Sequence, residues 1–566
     1  MIRASAVSAS APGSRVLVWT GVGLIWAFLI LFLVYPLCRV FYDAVTNEAG
    51  AFTLANFGDF FTDRFYLRSL GNSLVLGVIT VATSSILGVA IAFLLVRFDF
   101  WGRNFWSYLS MIPIISPPLV GVLGFTFILG RAGTVNVLLM DAFDMLKPVN
   151  FLYGLHGVVL VETLHLFPMI ALNVVDALSK IDPSLEEAAE SVGARGGWKF
   201  LTVTLPLITP GYTAGALLVF IWTFSDFTTP LILGVQDVLA AQAYLNIVQF
   251  VDRRIFRMGI VISALMVLLA VLFLLLARRY VGLKDYASLS YSRIERRRLG
   301  AAGQALAVGF LSIVLFLSFI PYVGVGLASV GKGWSLTPLP VAYTLQYYDR
   351  VIVETPKYVV NSFLYSGIAV GLCILLGVPI AWLLARSTVP GRGALDALNT
   401  LILAIPGTAI GIAYVRAFHF DLPGFDRGLT SFWLIMPLVL AVRRLPYTVR
   451  SSFASLLLVH RSMEEAAASV GATGLRSFRD ITLPLIWKGV LVGSLFSFMT
   501  SLQEASAVLF LALGGWESIT NGIFAFYIAG SANEAAALGV ILILVAASSV
   551  ILINRVAGTR MGGVFG

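Results

Sequence analysis

Ionisable side chains are scarce in this sequence. Asp, Glu, Lys and Arg make up 12% of its residues, against about 25% in a soluble domain. With 59% apolar residues over 566 positions and a mean hydropathy of +0.92, that excludes a water-soluble core wrapped in a charged surface. Cysteine is nearly absent too. Cys38 and Cys373 lie within or at the edge of apolar runs and read as packing residues; two lone thiols make no disulfide framework and offer no metal site. Among the four histidines, His156, His419 and His460 read as interface residues. No His-Glu-x-x-His pattern, catalytic triad or metal cluster occurs, which argues against an intramembrane enzyme.

Long uncharged runs stand in place of charge. Residues 16–38, 70–96, 260–277 and 305–328 each reach the roughly 18 positions a bilayer-spanning helix needs. The first run is too long for a signal-peptide core and is expected to remain as an anchor. Twelve spans are expected, centred near Leu24, Ile79, Val120, Leu160, Leu217, Val267, Phe316, Ala369, Ala404, Leu440, Leu495 and Leu544. With the N-terminus placed in the cytoplasm, 25 of the 38 basic residues fall on cytoplasmic pieces, which puts both termini inside. Loop retention therefore accounts for the net charge of +9 without invoking nucleic acid. The polar stretch 277–303, with Lys284, Arg293, Arg296, Arg297 and Arg298, reads as a linker. Residues 41–68 and 331–357 read as outer loops.

The two sides of that linker repeat each other. Asn72-Ser73-Leu74 matches Asn361-Ser362-Phe363, Leu87-Gly88-Val89 matches Leu376-Gly377-Val378, and Gly102-Arg103 matches Gly391-Arg392, all at an offset of 289. A stronger block follows at an offset of 278: residues 186–211 read EEAAESVGARGGWKFLTVTLPLITPG, and 464–489 read EEAAASVGATGLRSFRDITLPLIWKG. They agree at 16 of 26 positions. The change of offset places eleven extra residues in the first copy, expected near 131–150. Six spans per copy, an even number, make the repeats parallel about an axis along the membrane normal. The fold class is therefore all-α polytopic. The first half is 1–299, with its duplicated loop at 184–206 and the linker at about 278–303; the second half is 300–566, with its loop at 462–484.

Each duplicated loop reads as a short cytoplasmic helix followed by a turn. Ser184 with Glu187, and Ser462 with Glu465, fit a capping box; Asp182-Pro183 suits a helix start. Ala188, Ala189, Ala466 and Ala467 leave a flat face, and Gly193 and Gly471 permit a left-handed turn or a close contact. A water-facing loop has little need of Ala, Val and Gly at the same places twice. The strings Glu187-Ala188-Ala189…Gly193-Ala194…Leu205-Pro206 and Glu465-Ala466-Ala467…Gly471-Ala472…Leu483-Pro484 resemble the EAA loop of the inner-membrane permeases of binding-protein-dependent ABC importers. The likeness covers nearly the whole chain.

That resemblance implies a loop that couples to an ATPase, and partners in two copies of a cytoplasmic ABC ATPase, an external solute-binding protein and the lipid bilayer. It implies no cofactor on this chain, ATP and magnesium being used by the ATPase. Fusion of both halves in one chain is similar to the ferric-iron type, as is Arg443-Arg444-Leu445-Pro446-Tyr447 with Arg450. Relatives assigned to aminoethylphosphonate, thiamine or polyamine are alternatives in the same class. Lys488, where the first copy has Pro210, is a departure and implies a different exit angle for the second loop.

Gly326-Leu-Ala-Ser-Val-Gly331-Lys332-Gly333 imitates a phosphate-binding loop, but Gly333 stands where Ser or Thr must hold magnesium. Asp226 and Glu504 occupy equivalent places inside the fifth span of each half, flanked by Ser225 and Gln503. An acid within a span marks a pathway, or else is neutralised by a neighbour or caps a broken helix. Glu162, His165 and Arg443 are further candidates for the same path. Pro113, Pro117 and Pro118 in the third span and Pro406 in the ninth predict kinks or unwinding. A competing class is an ion-coupled secondary transporter of six plus six helices, which Asp99-Phe-Trp-Gly102-Arg103 faintly resembles. That class leaves the duplicated loop unexplained.

Overall fold

The computed structural model describes residues 12–249, 252–282, 296–334, 336–420, 427–512 and 514–557. The linker residues Lys284 and Arg293 and both extreme termini lie outside the described residues. Among those described, ten helices are long and apolar enough to cross a membrane, or eleven if the bent pair Arg392–Ala404 and Gly407–Phe418 is one span. A further helix, Ile435–Leu458, carries Arg443, Arg444 and Arg450, and this charge sets it apart from the ten. All twelve expected centres fall on helices. Outward-facing Leu24, Ile86, Leu306 and Phe316 are exposed, as suits surfaces that meet lipid tails.

The proline signals appear where the sequence places them. The third span is interrupted by a 3-10 turn at Ile112–Ile115 and restarts at Pro118. The ninth bends by 109° between Ala404 and Gly407, around Pro406. The repeat holds element by element. Pro118–Leu129 and Gly407–Phe418 start 289 apart, whereas Pro183–Ser191 and Arg461–Ser469 start 278 apart. The extra residues of the first copy therefore lie between Leu129 and Leu155, where an additional helix, Thr134–Phe143, forms.

Packing gathers the chain into two compact units that cross the sequence halves. One comprises described residues 54–355 and 522–543; the other comprises 12–53, 356–521 and 544–557. In the former, Ala92, Ile170, Val174, Leu178, Ile208 and Val219 form a core between Arg64–Arg97, Leu155–Ser179 and Leu205–Ser225. Ala301–Val330 packs on Pro118–Leu129 through small residues. A Cβ on Gly124 would sit 2.0 Å from the Pro321 carbonyl oxygen, so the backbones touch, a contact that membrane helices use in the absence of a hydrophobic drive between them. Phe98–Asp99 pairs in parallel with Arg297–Arg298, holding the end of the linker beside the C-terminal end of the second span.

In the other unit, Trp19–Ala44 packs against Gly407–Phe418. The first span contains a π-turn at Ile30–Val34, which loosens the helical ladder. The Tyr414 hydroxyl donates to the Phe32 carbonyl at 2.6 Å. Arg416 pairs with the buried Asp43 at 2.6 Å. Cys373 is buried in this unit's core, and Cys38 is exposed, so only the first of these packs as expected. The residues of the false phosphate loop run through the end of the Ala301–Val330 helix into a two-residue strand.

Candidate functional site

Two structures recur in both units, a helix-turn element between long spans and a break that follows one of them.

The first is the short helix Pro183–Ser191 and its equivalent Arg461–Ser469. The expected capping boxes do not form. The caps lie two residues earlier: an Asp182 oxygen accepts the Ser184 N–H at 3.0 Å, and His460 Nδ1 accepts that of Ser462 at 3.3 Å. Asp is a strong N-cap and Pro183 fits the first helical position, which leaves Leu185, not a glutamate, at the position a box requires.

Gly193 and Gly471 follow with φ of +92° and +86°. A Cβ at either would meet nothing within 4 Å, so of the two expected roles these glycines serve the left-handed turn. Beside them Val192 and Val470 are 83% and 86% exposed. Glu187, Ala188, Glu465, Ala466, Pro206 and Pro484 are exposed as well, whereas Ala194 and Ala467 are buried and fasten the element inward. Ala189, Ala472, Leu205 and Leu483 are half-buried. The long helices beyond start at the equivalent residues Leu205 and Leu483 despite Lys488.

Each helix is held by a clasp that sequence reasoning missed. Arg97, the last residue of the second span, donates to Glu186 at 2.6 Å, and the Thr204 hydroxyl donates to the same oxygen at 3.0 Å. In the other unit Arg386 ends its span and lies 3.4 Å from Glu464, to which Thr482 donates at 2.9 Å. Arg386 also donates to the carbonyls of Leu456 and Val459. The signal was present: each Glu opens the matched block, and each Arg lies at the earlier offset. Lys199 reaches Glu190 at 2.6 Å, and its ammonium holds the Glu190 carboxyl below the ordinary glutamate range.

The second recurring structure corrects the placement of the two acids. Their helices stop at Ser225 and Leu502, so Asp226 and Glu504 lie just beyond the ends of their spans. Asp226 accepts the N–H groups of Thr228 and Thr229 at 2.9 and 3.1 Å and caps the short helix Thr228–Ile232. Glu504 accepts the Ala507 N–H at 3.1 Å ahead of Val508–Leu511. A carboxylate at this point satisfies backbone donors that the break leaves open.

Short apolar helices follow, Leu239–Val248 and Ile519–Ile528. The repeated Asn-Ser pairs anchor them. Ser73 accepts the Leu239 N–H and Ser362 that of Ile519, both at 2.7 Å. Asn72 donates to the Asp237 carbonyl, and Asn361 to that of Gly515.

The surroundings of the two acids differ. Glu504 is buried and paired with Arg443 at 2.8 Å and with Arg444. In the first repeat Glu162, 3% exposed, has the Asp226 carboxyl and the hydroxyls of Thr229 and Thr223 as its neighbours. His165, 8% exposed, faces the Pro113 carbonyl, and its Nε2 is buried with no partner. Glu162 and His165 line a cavity of about 10 Å³ together with Ser116, Thr229 and Tyr322. Ser225 bonds back to its own helix at Ile221, and Gln503 caps the end of its helix.

Two repeated sets of apolar helices, each with an exposed elbow and a capped break at the end of a span, define a multi-pass membrane transport protein. The chain belongs to the binding-protein-dependent transport system inner membrane components, the family pattern matching residues 84–283 and 377–562. It is thus a permease of the inner membrane, a class whose members are not themselves enzymes. It is 27% identical to a ferric transport system permease of Actinobacillus pleuropneumoniae, over 94% of this chain and 77% of that one. It is 26% identical to a putative ferric transport system permease of Haemophilus influenzae, over 85% and 76%. A solved bacterial ABC transporter that imports alginate matches 48% of this chain and 96% of its own at 18% identity and a TM-score of 0.39.

Proposed function

We propose that this permease carries ferric iron, released by an external binding protein, into the cytoplasm, driven by two copies of a separate ATPase that grip its twin elbows. The supporting observation is the duplicated helix-turn element, whose Val192 and Val470 stand exposed beside open glycine turns. Exposed apolar side chains at identical places in both repeats fit a partner surface that binds twice. The iron cargo rests on the names of relatives that align along most of the chain. Both termini are cytoplasmic in this reading, as the distribution of Lys and Arg requires.

Closure of the ATPases draws the elbows together, and each clasp passes that motion to the end of a long span, so the cargo path changes the side it opens to. Gly193→Glu and Gly471→Glu are expected to insert normally yet lose stimulated ATP hydrolysis and iron uptake in reconstituted vesicles. Wild-type uptake in either variant would remove the docking role. The capped breaks at Asp226 and Glu504, with Ser225, Gln503, Glu162, His165 and Arg443, line the path in this proposal. Asp226→Asn combined with Glu504→Gln should slow uptake at unchanged protein level; native transport by the double variant would discard that assignment.

A further inference from the structure

Arginines gather where two long helices of the first repeat's unit end. The helix Arg64–Arg97 runs into the strand Phe98–Asp99, and Arg297–Arg298 lies beside that strand just before Ala301–Val330 begins. The Leu299 N–H donates to the Asp99 carbonyl at 3.2 Å and closes the join. Arg103 follows the left-handed turn at Gly102. Its guanidinium donates to the Leu95 carbonyl at 2.9 Å and to the Asn104 side-chain oxygen at 2.8 Å. Arg296, Arg297 and Arg298 are exposed, so backbone pairing fixes the last two while their charges stay open. Burial and the Arg296 guanidinium together hold the Arg103 pKa below the ordinary arginine range; these cations crowd one another. Acids offset them only in part. Asp99 lies 3.8 Å from Arg298, and Glu190, which feels Arg297, is taken by Lys199 at 2.6 Å.

The surroundings separate a lipid headgroup from other anions. Trp101 and Phe105 are 73% and 59% exposed beside the cluster, and Trp favours the depth of the headgroups. Past Arg298 the chain enters Ala301–Val330, whose Ala302, Leu306 and Ile313 form an exposed apolar stripe at helical spacing. A phosphate held by the arginines would lay its acyl chains on that stripe. A dissolved anion, or the acidic face of a soluble protein, has no use for it. The equivalent turn in the second repeat, Pro390-Gly391-Arg392, has proline in place of Trp101. Trp26 lies over it, 3.3 Å from where a Cβ on Gly391 would stand.

We propose that Arg103, Arg296, Arg297 and Arg298, with Trp101, bind the phosphate headgroup of one anionic phospholipid, its chains lying along Leu306 and Ile313. Guanidinium forks match phosphate oxygens, and clusters of Lys and Arg at the end of a membrane helix recognise acidic headgroups. The strand that carries this site adjoins Arg97, so an occupied site also steadies the residue that clasps Glu186. The site depends neither on the cargo nor on the ATPase.

Native mass spectrometry of the purified chain, released from detergent with dioleoyl phosphatidylglycerol or dioleoyl phosphatidylcholine, tests this. Wild type should retain phosphatidylglycerol at least about tenfold more tightly than phosphatidylcholine. Arg297→Gln combined with Arg298→Gln should lose most of that preference, since the strand pairing needs neither side chain. Arg254→Gln, at a 75% exposed arginine elsewhere, should keep it. Trp101→Phe supplies a second readout if the double variant folds poorly. Bromo-acyl phosphatidylglycerol should quench wild-type tryptophan fluorescence more than bromo-acyl phosphatidylcholine does, and Trp101→Phe should shrink that excess; an undiminished excess would overturn the placement. Equal lipid preference in wild type and the double variant would overturn the site. So would equal retention of the two lipids by wild type, which would leave the arginines as a solvated face. Displacement of phosphatidylglycerol by equimolar inorganic phosphate would overturn the lipid as occupant. Each of these results leaves the importer reading standing, because that depends on ATP-driven uptake and on the elbows.

Discussion

Replacing Glu186 by Gln isolates what the clasp contributes. Gln is isosteric and keeps an oxygen for the Thr204 hydroxyl, so the change removes charge and little else. The side chains of Arg97 and Glu186 are 12% and 13% exposed and 2.6 Å apart. Breaking a fully buried pair costs about 3–5 kcal/mol, and an exposed pair contributes under about 1 kcal/mol. A pair one-eighth exposed, with one hydrogen bond retained, falls between, at about 1.5–2.5 kcal/mol. At about 1.4 kcal/mol per factor of ten, local opening of Pro183–Ser191 should become roughly 10–70 times more frequent. Amide hydrogen exchange on the purified permease reads this directly: protection should fall in 183–191 and hold in the buried centre of Leu155–Ser179. Glu464→Gln should loosen Arg461–Ser469 by less, because Arg386 lies 3.4 Å from Glu464 and is also held by two carbonyls. Exchange in Glu186→Gln within about twofold of wild type would refute the claim that this pair holds the elbow in place.

Tyr414→Phe removes the donor to the Phe32 carbonyl at 2.6 Å and leaves that carbonyl in apolar surroundings. A loss of about 1–2 kcal/mol is expected, read as a lower thermal midpoint together with faster labelling of a cysteine placed in 19–44; an unchanged midpoint would show the bond to be dispensable. The Glu190 carboxyl, lowered by the Lys199 ammonium, should titrate in an NMR experiment below the value of about 4.3 for a free glutamate side chain. Its link to Lys199 is then fully present above the ordinary glutamate range and is lost only as pH falls through the lowered value. Lys199→Met should restore the ordinary midpoint, and failure to do so would assign the shift to another group.

The sequence by itself determined where helices run and where they fail. Apolar length is a local property, so ten or eleven of the twelve expected spans are long, apolar helices among the described residues, while the helix at Leu440 carries three arginines. Pro113, Pro117, Pro118 and Pro406 act through their own missing N–H and fixed φ, so their breaks were legible as well. The repeat made every equivalence visible in advance, including Asn72-Ser73 with Asn361-Ser362, although not that these pairs cap the short helices after each break. The elbows were legible because glycine and alanine twice occupy positions that water alone would not require.

Tertiary structure decided partnership. A lipid-compatible helix carries no record of which neighbour it packs against, because tails and helices are equally apolar. That Trp19–Ala44 packs with Gly407–Phe418 follows from Asp43 meeting Arg416 and from Phe32 meeting Tyr414, over 370 residues away in sequence. The clasps join an arginine and a glutamate 89 residues apart in one unit and 78 in the other, a pairing no local pattern encodes. Asp226 and Glu504 are equivalent letters in the two copies. Folding brings Arg443 and Arg444 to Glu504 and Glu162 to Asp226, and charge at membrane depth is governed by those neighbours more than by the acid itself.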